Sequence, residues 1–215
     1  MEKSRITKAM LGRLPQYLSF LRELSDTDYI SSTRIARELS LGEVQVRKDL
    51  SAVCGKGKPK LGYRAAELIG SLEDCLGQLG GTPAVLVGAG RLGRALLEYD
   101  EFEKYGVRIL AAFDCNEQSF KPHGAAEVLP MSGFADFCNE NSVKIGIITV
   151  GEGSAQEVCD RMTENGISAI WNFAPCRLHV PEGVLLRHED LAISLAYLNS
   201  QLLEKEQKEG KTYEA

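Results

Sequence analysis

Histidine and tryptophan are scarce in this chain, with three and one in 215 residues. None of His123, His179 and His188 pairs at metal-ligand spacing, so no metal site is expected. The cysteines do not pair either. Cys54, Cys75, Cys115, Cys138, Cys159 and Cys176 stand at least 17 residues apart, without a C-x-x-C. That pattern excludes a disulfide scaffold and a zinc knuckle and fits reduced thiols. A thiol sensor at Cys54 is the alternative reading. No apolar run reaches the roughly 18 residues of a membrane span, and no signal-peptide apolar stretch opens the chain. The expectation is a cytoplasmic protein without membrane contact.

Excess positive charge is also lacking overall, the formal net charge being −5. Its distribution is uneven. Residues 1–80 hold 13 Lys+Arg against 10 Asp+Glu, and the remainder 12 against 20. Between Val44 and Arg64 six cations (Arg47, Lys48, Lys56, Lys58, Lys60, Arg64) accompany one acid, Asp49. A basic segment this concentrated in an acidic chain points to a localised anionic partner.

What is present in strength is a nucleotide-loop pattern. Val85–Val87 reads as a buried parallel strand, and Gly88, Gly90 and Gly93 follow in GxGxxG spacing before a helix over Leu92–Tyr99. The first glycine makes the turn, the second admits a pyrophosphate to the backbone, and the third packs helix on strand. The helix N-terminus supplies N–H groups and positive dipole. Ala89, Arg91 and Leu92 belong to the same loop. A second apolar strand, Ile109–Phe113, ends at Asp114, 26 residues after Gly88, where a carboxylate accepts from a ribose 2′-hydroxyl. These features predict a dinucleotide site, with NAD(H) favoured over NADP(H).

The chain divides into three parts: 1–80, a DNA-binding domain; 81–187, a Rossmann domain; and 188–215, a dimerisation helix and tail. In the first, Tyr17, Leu18, Leu21 and Leu24 form a helical stripe after Pro15. Ser31-Ser32-Thr33 caps a short helix over Arg34–Leu39, Leu41-Gly42 makes a turn, and Glu43–Val53 forms a longer helix. Val46, Leu50 and Val53 face a core on that helix, while Gln45, Arg47, Lys48 and Ser51 can reach bases or phosphates. Lys56, Lys58 and Lys60 alternate with Gly and Pro in a basic wing, Cys54–Tyr63, and Glu67–Leu79 reads as a linking helix ending before Gly80–Pro83. The second part alternates strand and helix patterns: a helix over Ser132–Asn139, a strand over Lys144–Val150, a helix over Ala155–Asn165 and a strand over Ser168–Trp171. The fold class is therefore α/β, a winged helix-turn-helix plus a doubly wound parallel sheet. Thr149, Val150 and Gly151, and Asn172, Phe173, Ala174 and Pro175, fall beyond strand C-termini, around the Gly88 crevice. In the third part Leu191, Leu195, Leu198 and Leu202 follow heptad-like spacing, and Asp190 can serve as an N-cap.

RLPQYLSFL (13–21), QVRKDLS (45–51), LGY (61–63), VGAGRLGRALL (87–97), AAFD (111–114), NFAP (172–175) and VPEGV (180–184) occur in that order. Together they resemble the Rex family of redox-sensing transcriptional repressors over about residues 5–203. The resemblance implies a homodimer with a swapped C-terminal helix that binds palindromic operator DNA and that NADH releases. It places Gln45, Arg47, Lys48 and Ser51 on the recognition helix, the glycine loop on the pyrophosphate and Asp114 on the adenosine ribose. It also implies Tyr99 near the nicotinamide and the partner's copy of the aspartate at position 190, with Phe173, Ala174 and Pro175 closing the pocket. Departures are visible. Ser19 stands where many members have an arginine that pairs with the aspartate at position 190. Ala52, Val53 and Cys54 replace the usual aromatics and glycine ahead of the wing, and Leu191 replaces a phenylalanine.

Two other classes compete with a repressor. An NAD-dependent dehydrogenase lacks support, since no His–Asp pair or Tyr-x-x-x-Lys follows the glycine loop and Lys104 is wrongly spaced from Tyr99. The protein is thus expected not to be an enzyme. A CoA-binding module without DNA binding leaves the basic segment 44–64 unexplained.

Overall fold

The computed structural model of the chain describes residues 6–24, 29–76, 81–120 and 126–210. Gly80, the end of the expected linking helix (77–79), His123 and the tail from 211 lie outside the described residues. Contacts divide the chain into two compact units. One extends to Thr82 and includes Asp100–Arg108; the other comprises Pro83–Tyr99 and the chain from Ile109.

The first unit is built from α1 (Lys8–Leu11), α2 (Leu14–Glu23), β1 (Tyr29–Ile30), α3 (Ser32–Glu38), α4 (Glu43–Cys54), β2 (Tyr63–Arg64) and α5 (Ala65–Cys75). Leu14, Tyr17, Leu18 and Leu21 recur at helical spacing on α2 and are buried, with Pro15 in the first turn where its missing N–H costs nothing. They share one core with Ile30, Ile35, Val46, Leu50, Tyr63, Leu68 and Leu72. The Ser31 hydroxyl accepts from the Arg34 N–H at 3.1 Å and starts α3.

The turn between α3 and α4 differs from the sequence expectation. Its left-handed residue is Ser40, φ 53°, and not Gly42. Leu41 N–H bonds back to Ala36 at 2.8 Å and Ser40 N–H to Arg37 at 3.3 Å, the paired closure of a Schellman motif. Gly42 is instead the N-cap of α4. On α4 Val53 is only half-buried, while Asp49, one turn before it, is buried at 6 % exposure.

The wing is short. Lys58 and Gly62 bridge across the Pro59-Lys60-Leu61 turn, and β2 pairs antiparallel with β1, Ile30 opposite Tyr63. Gly62 is required there: φ is +89°, and a Cβ would lie 2.2 Å from the Ile30 carbonyl oxygen.

The chain continues through β3 (Thr82–Val87), α6 (Arg91–Leu97), α7 (Glu101–Lys104), β4 (Val107–Asp114), β5 (Glu127–Pro130), α8 (Phe134–Glu140), β6 (Ile145–Ile148), α9 (Glu152–Glu164), β7 (Ala169–Asn172), β8 (Leu185–His188) and α10 (Leu191–Gly210). The sheet order is β5-β4-β3-β6-β7-β8, and the β4–β5, β3–β6, β6–β7 and β7–β8 pairs are parallel. Alternation along β3 and β4 sends Val85, Val87, Ala111 and Phe113 to one face, packed with α8 and α9 residues such as Phe134, Cys138, Cys159 and Met162. Leu86 and Ala112 go to the other face with Leu97 and Val128. Burial on both faces makes these strands continuous apolar runs, as a parallel sheet requires. The helix predicted over Leu92–Tyr99 ends at Leu97, and α10 runs through Gly210, well into the stretch read as a polar tail.

Candidate functional site

In the second unit the GxGxxG loop leaves the C-terminal end of β3. Gly88 has φ +106°, and a Cβ there would lie 2.8 Å from the Thr149 backbone. Its N–H donates to Phe113 at 2.8 Å, and the Thr149 hydroxyl donates to its carbonyl at 2.7 Å. Gly93 faces inward so closely that a Cβ would sit 2.0 Å from the Gly88 carbonyl oxygen. Gly90, the N-cap of α6, is different: it is exposed, and nothing lies within 4 Å of where its Cβ would be. The first and third glycines are thus needed by the fold, whereas the second borders open space.

Asp114 ends β4 with both carboxylate oxygens held, Oδ2 by the Ala89 N–H at 2.7 Å and Oδ1 by the Asn116 N–H at 2.7 Å. A carboxylate has about four lone-pair sites, so hydroxyl donors can still be accepted. Gly88, Gly90, Asp114, Thr149 and Val150 line one cavity of about 390 Å³, within the range of small-molecule sites. Gly151 lines it as expected, and so do Met131, Ser154 and Arg161, which the sequence reading missed. Their signal was available: α9 starts from Gly151 directly after β6, at the same end of the sheet as the glycine loop. Arg161 is fixed by donating to the Met131 carbonyl at 2.6 Å, with its guanidinium 5.9 Å above the Phe134 ring.

The remaining expected cofactor residues do not line that cavity. Ala174, Pro175 and Asp190 line a separate hollow of about 620 Å³, together with His188 and Ile193. Asn172, fully buried, shapes its wall: Oδ1 accepts from Ala174 N–H at 3.0 Å, and Nδ2 meets the Ala174 and Cys176 carbonyls and His188 Nδ1 at 3.0–3.1 Å. Asp190 caps α10, its Oδ1 accepting from the N–H groups of Ala192 at 2.9 Å and Ile193 at 3.0 Å. Phe173 packs on Trp171 with ring centroids 4.5 Å apart. Ala89 is buried, Arg91 and Leu92 form the first turn of α6, and Tyr99 is 54 % exposed beyond its end. Leu191, Leu195, Leu198 and Leu202 remain exposed along α10.

In the first unit Arg47, Lys48, Ser51, Lys56, Lys58 and Lys60 line one concave face with Ser31, Ser32 and Thr33. Gln45 stands outside that lining, one turn earlier on α4. Of the wing lysines, Lys58 is held, its Nζ donating to the Tyr29 hydroxyl at 3.0 Å, while Lys60 takes φ +66° at the turn. Cys54 is half-buried, with Sγ directed at the Leu50 carbonyl at 3.1 Å, and burial pushes its thiol up to about 11. That keeps it protonated at neutral pH, the reverse of what a reactive thiol needs.

A cationic helix-turn-helix with a wing, and a glycine loop on a parallel sheet ending in a carboxylate, define a class: transcription factors that carry a nucleotide-binding domain. Residues 5–51 match the family described as "Putative DNA-binding protein N-terminus", and residues 81–176 that described as "CoA binding domain". The redox-sensing transcriptional repressor Rex of Clostridium tetani is 35 % identical, covering 96 % of this chain and 99 % of its own. Rex of Porphyromonas gingivalis is 37 % identical, covering 93 % of each chain. A crystal structure of RSP with β-NAD⁺ and operator DNA superposes with a TM-score of 0.85 at 33 % identity over 99 % of both chains. RSP with β-NADH gives 0.84 at 33 % identity over 96 % of this chain and 99 % of that one. The chain belongs to the Rex family of redox-sensing transcriptional repressors.

Proposed function

We propose that the protein is a cytoplasmic, homodimeric repressor that binds palindromic operator DNA and leaves it when NADH binds. The observation that carries this reading is one fold shared, over 99 % of both chains, with a repressor crystallised on operator DNA with β-NAD⁺. The site geometry supports it. Gln45, Arg47, Lys48 and Ser51 read or anchor the operator from α4, and Lys56, Lys58 and Lys60 anchor its backbone from the wing. The loop Gly88-Ala89-Gly90-Arg91-Leu92-Gly93 takes the pyrophosphate and Asp114 the adenosine ribose, with Thr149 and Val150 on the opposite wall. Tyr99, Phe173, Ala174, Pro175 and Asp190 serve the nicotinamide end. The exposed leucine stripe of α10 pairs the subunits, and a two-fold dimer demands two half-sites. The protein is a regulator and not a dehydrogenase, like the repressors it resembles. Among the described residues no helix is long and apolar enough to cross a membrane, and no cluster could hold a metal.

Release requires NADH to bind the free conformation more tightly than the DNA-bound one, up to about 5.5 kcal/mol for a full reversal of occupancy. The test is anisotropy of a labelled palindromic duplex titrated with protein, then with NADH, NAD⁺ or CoA. Release by NADH where NAD⁺ and CoA have little effect is expected. Binding indifferent to NADH, or release by CoA alone, refutes the sensor reading, and CoA binding with no binding of any duplex favours the CoA-module alternative.

A further inference from the structure

A short stretch from the middle of the chain belongs to the first unit. Asp100–Arg108 groups with the chain up to Thr82, whereas Tyr99 before it and Ile109 after it belong to the second unit. Two of its backbone carbonyls are taken by residues of the first unit. The Gly106 carbonyl accepts from the Thr82 N–H at 2.7 Å, and the Lys104 carbonyl, at the end of α7, accepts from Arg22 Nη1 at 2.8 Å. Arg22 stands in the last turn of α2, beside the buried Leu21. Its Nη2 donates to Glu73 Oε1 on α5 at 2.7 Å, the two side chains being only 29 % and 32 % exposed. The guanidinium also lies 5.7 Å from the centre of the Tyr105 ring. A planar fork can hold a carboxylate, a carbonyl and a ring in one fixed geometry, which a lysine ammonium cannot.

The same stretch joins the two elements that carry the nucleotide cavity. It follows Tyr99 and α6, the helix that the glycine loop opens at Gly90, and it runs into β4, the strand that closes at Asp114. A displacement of either cavity wall is therefore conveyed along one helix or one strand to the residues that Arg22 holds. We propose that Arg22 couples nucleotide occupancy to operator binding by fastening Asp100–Arg108 to α2 and α5. Leu18 and Leu21 of α2 and Leu68 and Leu72 of α5 share one core with Val46 and Leu50 of α4, so a shift of that fastening reaches the operator-facing helix through close packing. Arg22 lines neither the nucleotide cavity nor the cationic face, and it is a positioning residue acting through the stretch it grips. The inference rests on the NADH-released repressor proposed above and names the contact that links its two sites.

The test measures linkage in the full-length protein. Anisotropy of the labelled palindromic duplex gives its Kd without nucleotide and with saturating NADH, and the ratio of the two is the coupling factor. The Kd for NADH with and without the duplex must give the same factor. Arg22→Met keeps an aliphatic stem on α2 and removes every donor. Its coupling factor is expected to fall by about fivefold or more, while duplex binding without nucleotide and NADH binding without DNA stay as in wild type. An Arg22→Met protein that folds and keeps the wild-type factor overturns the proposal, whatever becomes of its separate affinities or melting temperature, because that is the pattern of a merely structural contact. If Arg22→Met does not fold, Glu73→Gln decides in its place. It leaves Arg22 present but weakens its anchor, so a reduced factor supports the coupling role and an unchanged one overturns it. A wild-type protein that binds the duplex equally well with and without NADH defeats the sensor reading itself, and this proposal with it, a result distinct from any obtained with the variants.

Discussion

Substituting alanine for Gly90 separates the needs of a ligand from those of the fold. Nothing lies within 4 Å of the position a Cβ would take, and the backbone there, φ −72° and ψ −164°, suits any residue. Folding stability should therefore be unchanged, with a melting temperature within a degree or two of wild type. On the proposed placement, however, the pyrophosphate approaches the N-terminus of α6 where that methyl would stand. Losing one charge-assisted hydrogen bond costs about 1.5–3 kcal/mol, a weakening of NADH binding by about 10- to 150-fold. Gly93→Ala is the contrasting control, since its Cβ would lie 2.0 Å from the Gly88 carbonyl oxygen. It should lower the melting temperature as well as the affinity. Fluorescence titration can follow binding through Trp171, the single tryptophan, beside Phe173. A Gly90→Ala protein that binds NADH with wild-type affinity would refute the placement of the pyrophosphate at this loop.

Asp114→Ser removes the anion that repels a ribose 2′-phosphate, so NADPH affinity should rise toward that for NADH; competition titration showing no change in the ratio of the two would contradict the ribose assignment. Leu198→Glu, on the exposed stripe of α10, should leave each chain folded yet shift sedimentation velocity from dimer to monomer, and a stable dimer would exclude that stripe from the interface. Burial pushes the thiols of Cys138 and Cys159, like that of Cys54, up to about 11, and burial with the Asp49 hydrogen bond pushes the Tyr17 hydroxyl to about 12. These groups hold their protons longer folded than unfolded, so their contribution is fully present below about pH 9 and lost as pH rises toward 12. Urea midpoints that fail to decline over that window would count against the buried placement of these groups.

The parts legible in the sequence are those whose signal is local. β3 and β4 are buried on both faces and show as apolar runs, and the spacing of the three glycines states the turn outright. Strand β8 was not read: its first residue, Leu185, is 68 % exposed and the strand adjoins only β7, so it carries no apolar periodicity. Asp49 was read as a lone acid among cations because its partner Arg13 stands 36 positions earlier, a separation that helical periodicity cannot register. The turn before α4 was placed at Leu41-Gly42, yet hydrogen-bond closure to Ala36 and Arg37 puts the left-handed residue at Ser40. Asn172 was visible in NFAP, but its work on Ala174, Cys176 and His188 emerges only when β7 and β8 pair.

Affinity and switching must come from different contacts. NADH and NAD⁺ share the pyrophosphate and both riboses, so whatever Gly88–Gly93 and Asp114 contribute, they contribute to both forms. A ligand that binds two conformations equally shifts neither, however tightly it binds. Discrimination has to arise at the ring whose charge changes, and the residues assigned to that end do not line the glycine cavity but include the wall of the hollow at Ala174, Pro175 and Asp190. Asp190 ties that hollow to α10 through one carboxylate oxygen, Oδ1 capping Ala192 and Ile193, a cap worth about 1 kcal/mol. With serine at position 19, the family's ion pair to that aspartate is unavailable. On the proposed reading the switch then uses another contact or is weaker, and the root of α10 with the Asn172-ordered loop is the contact we propose.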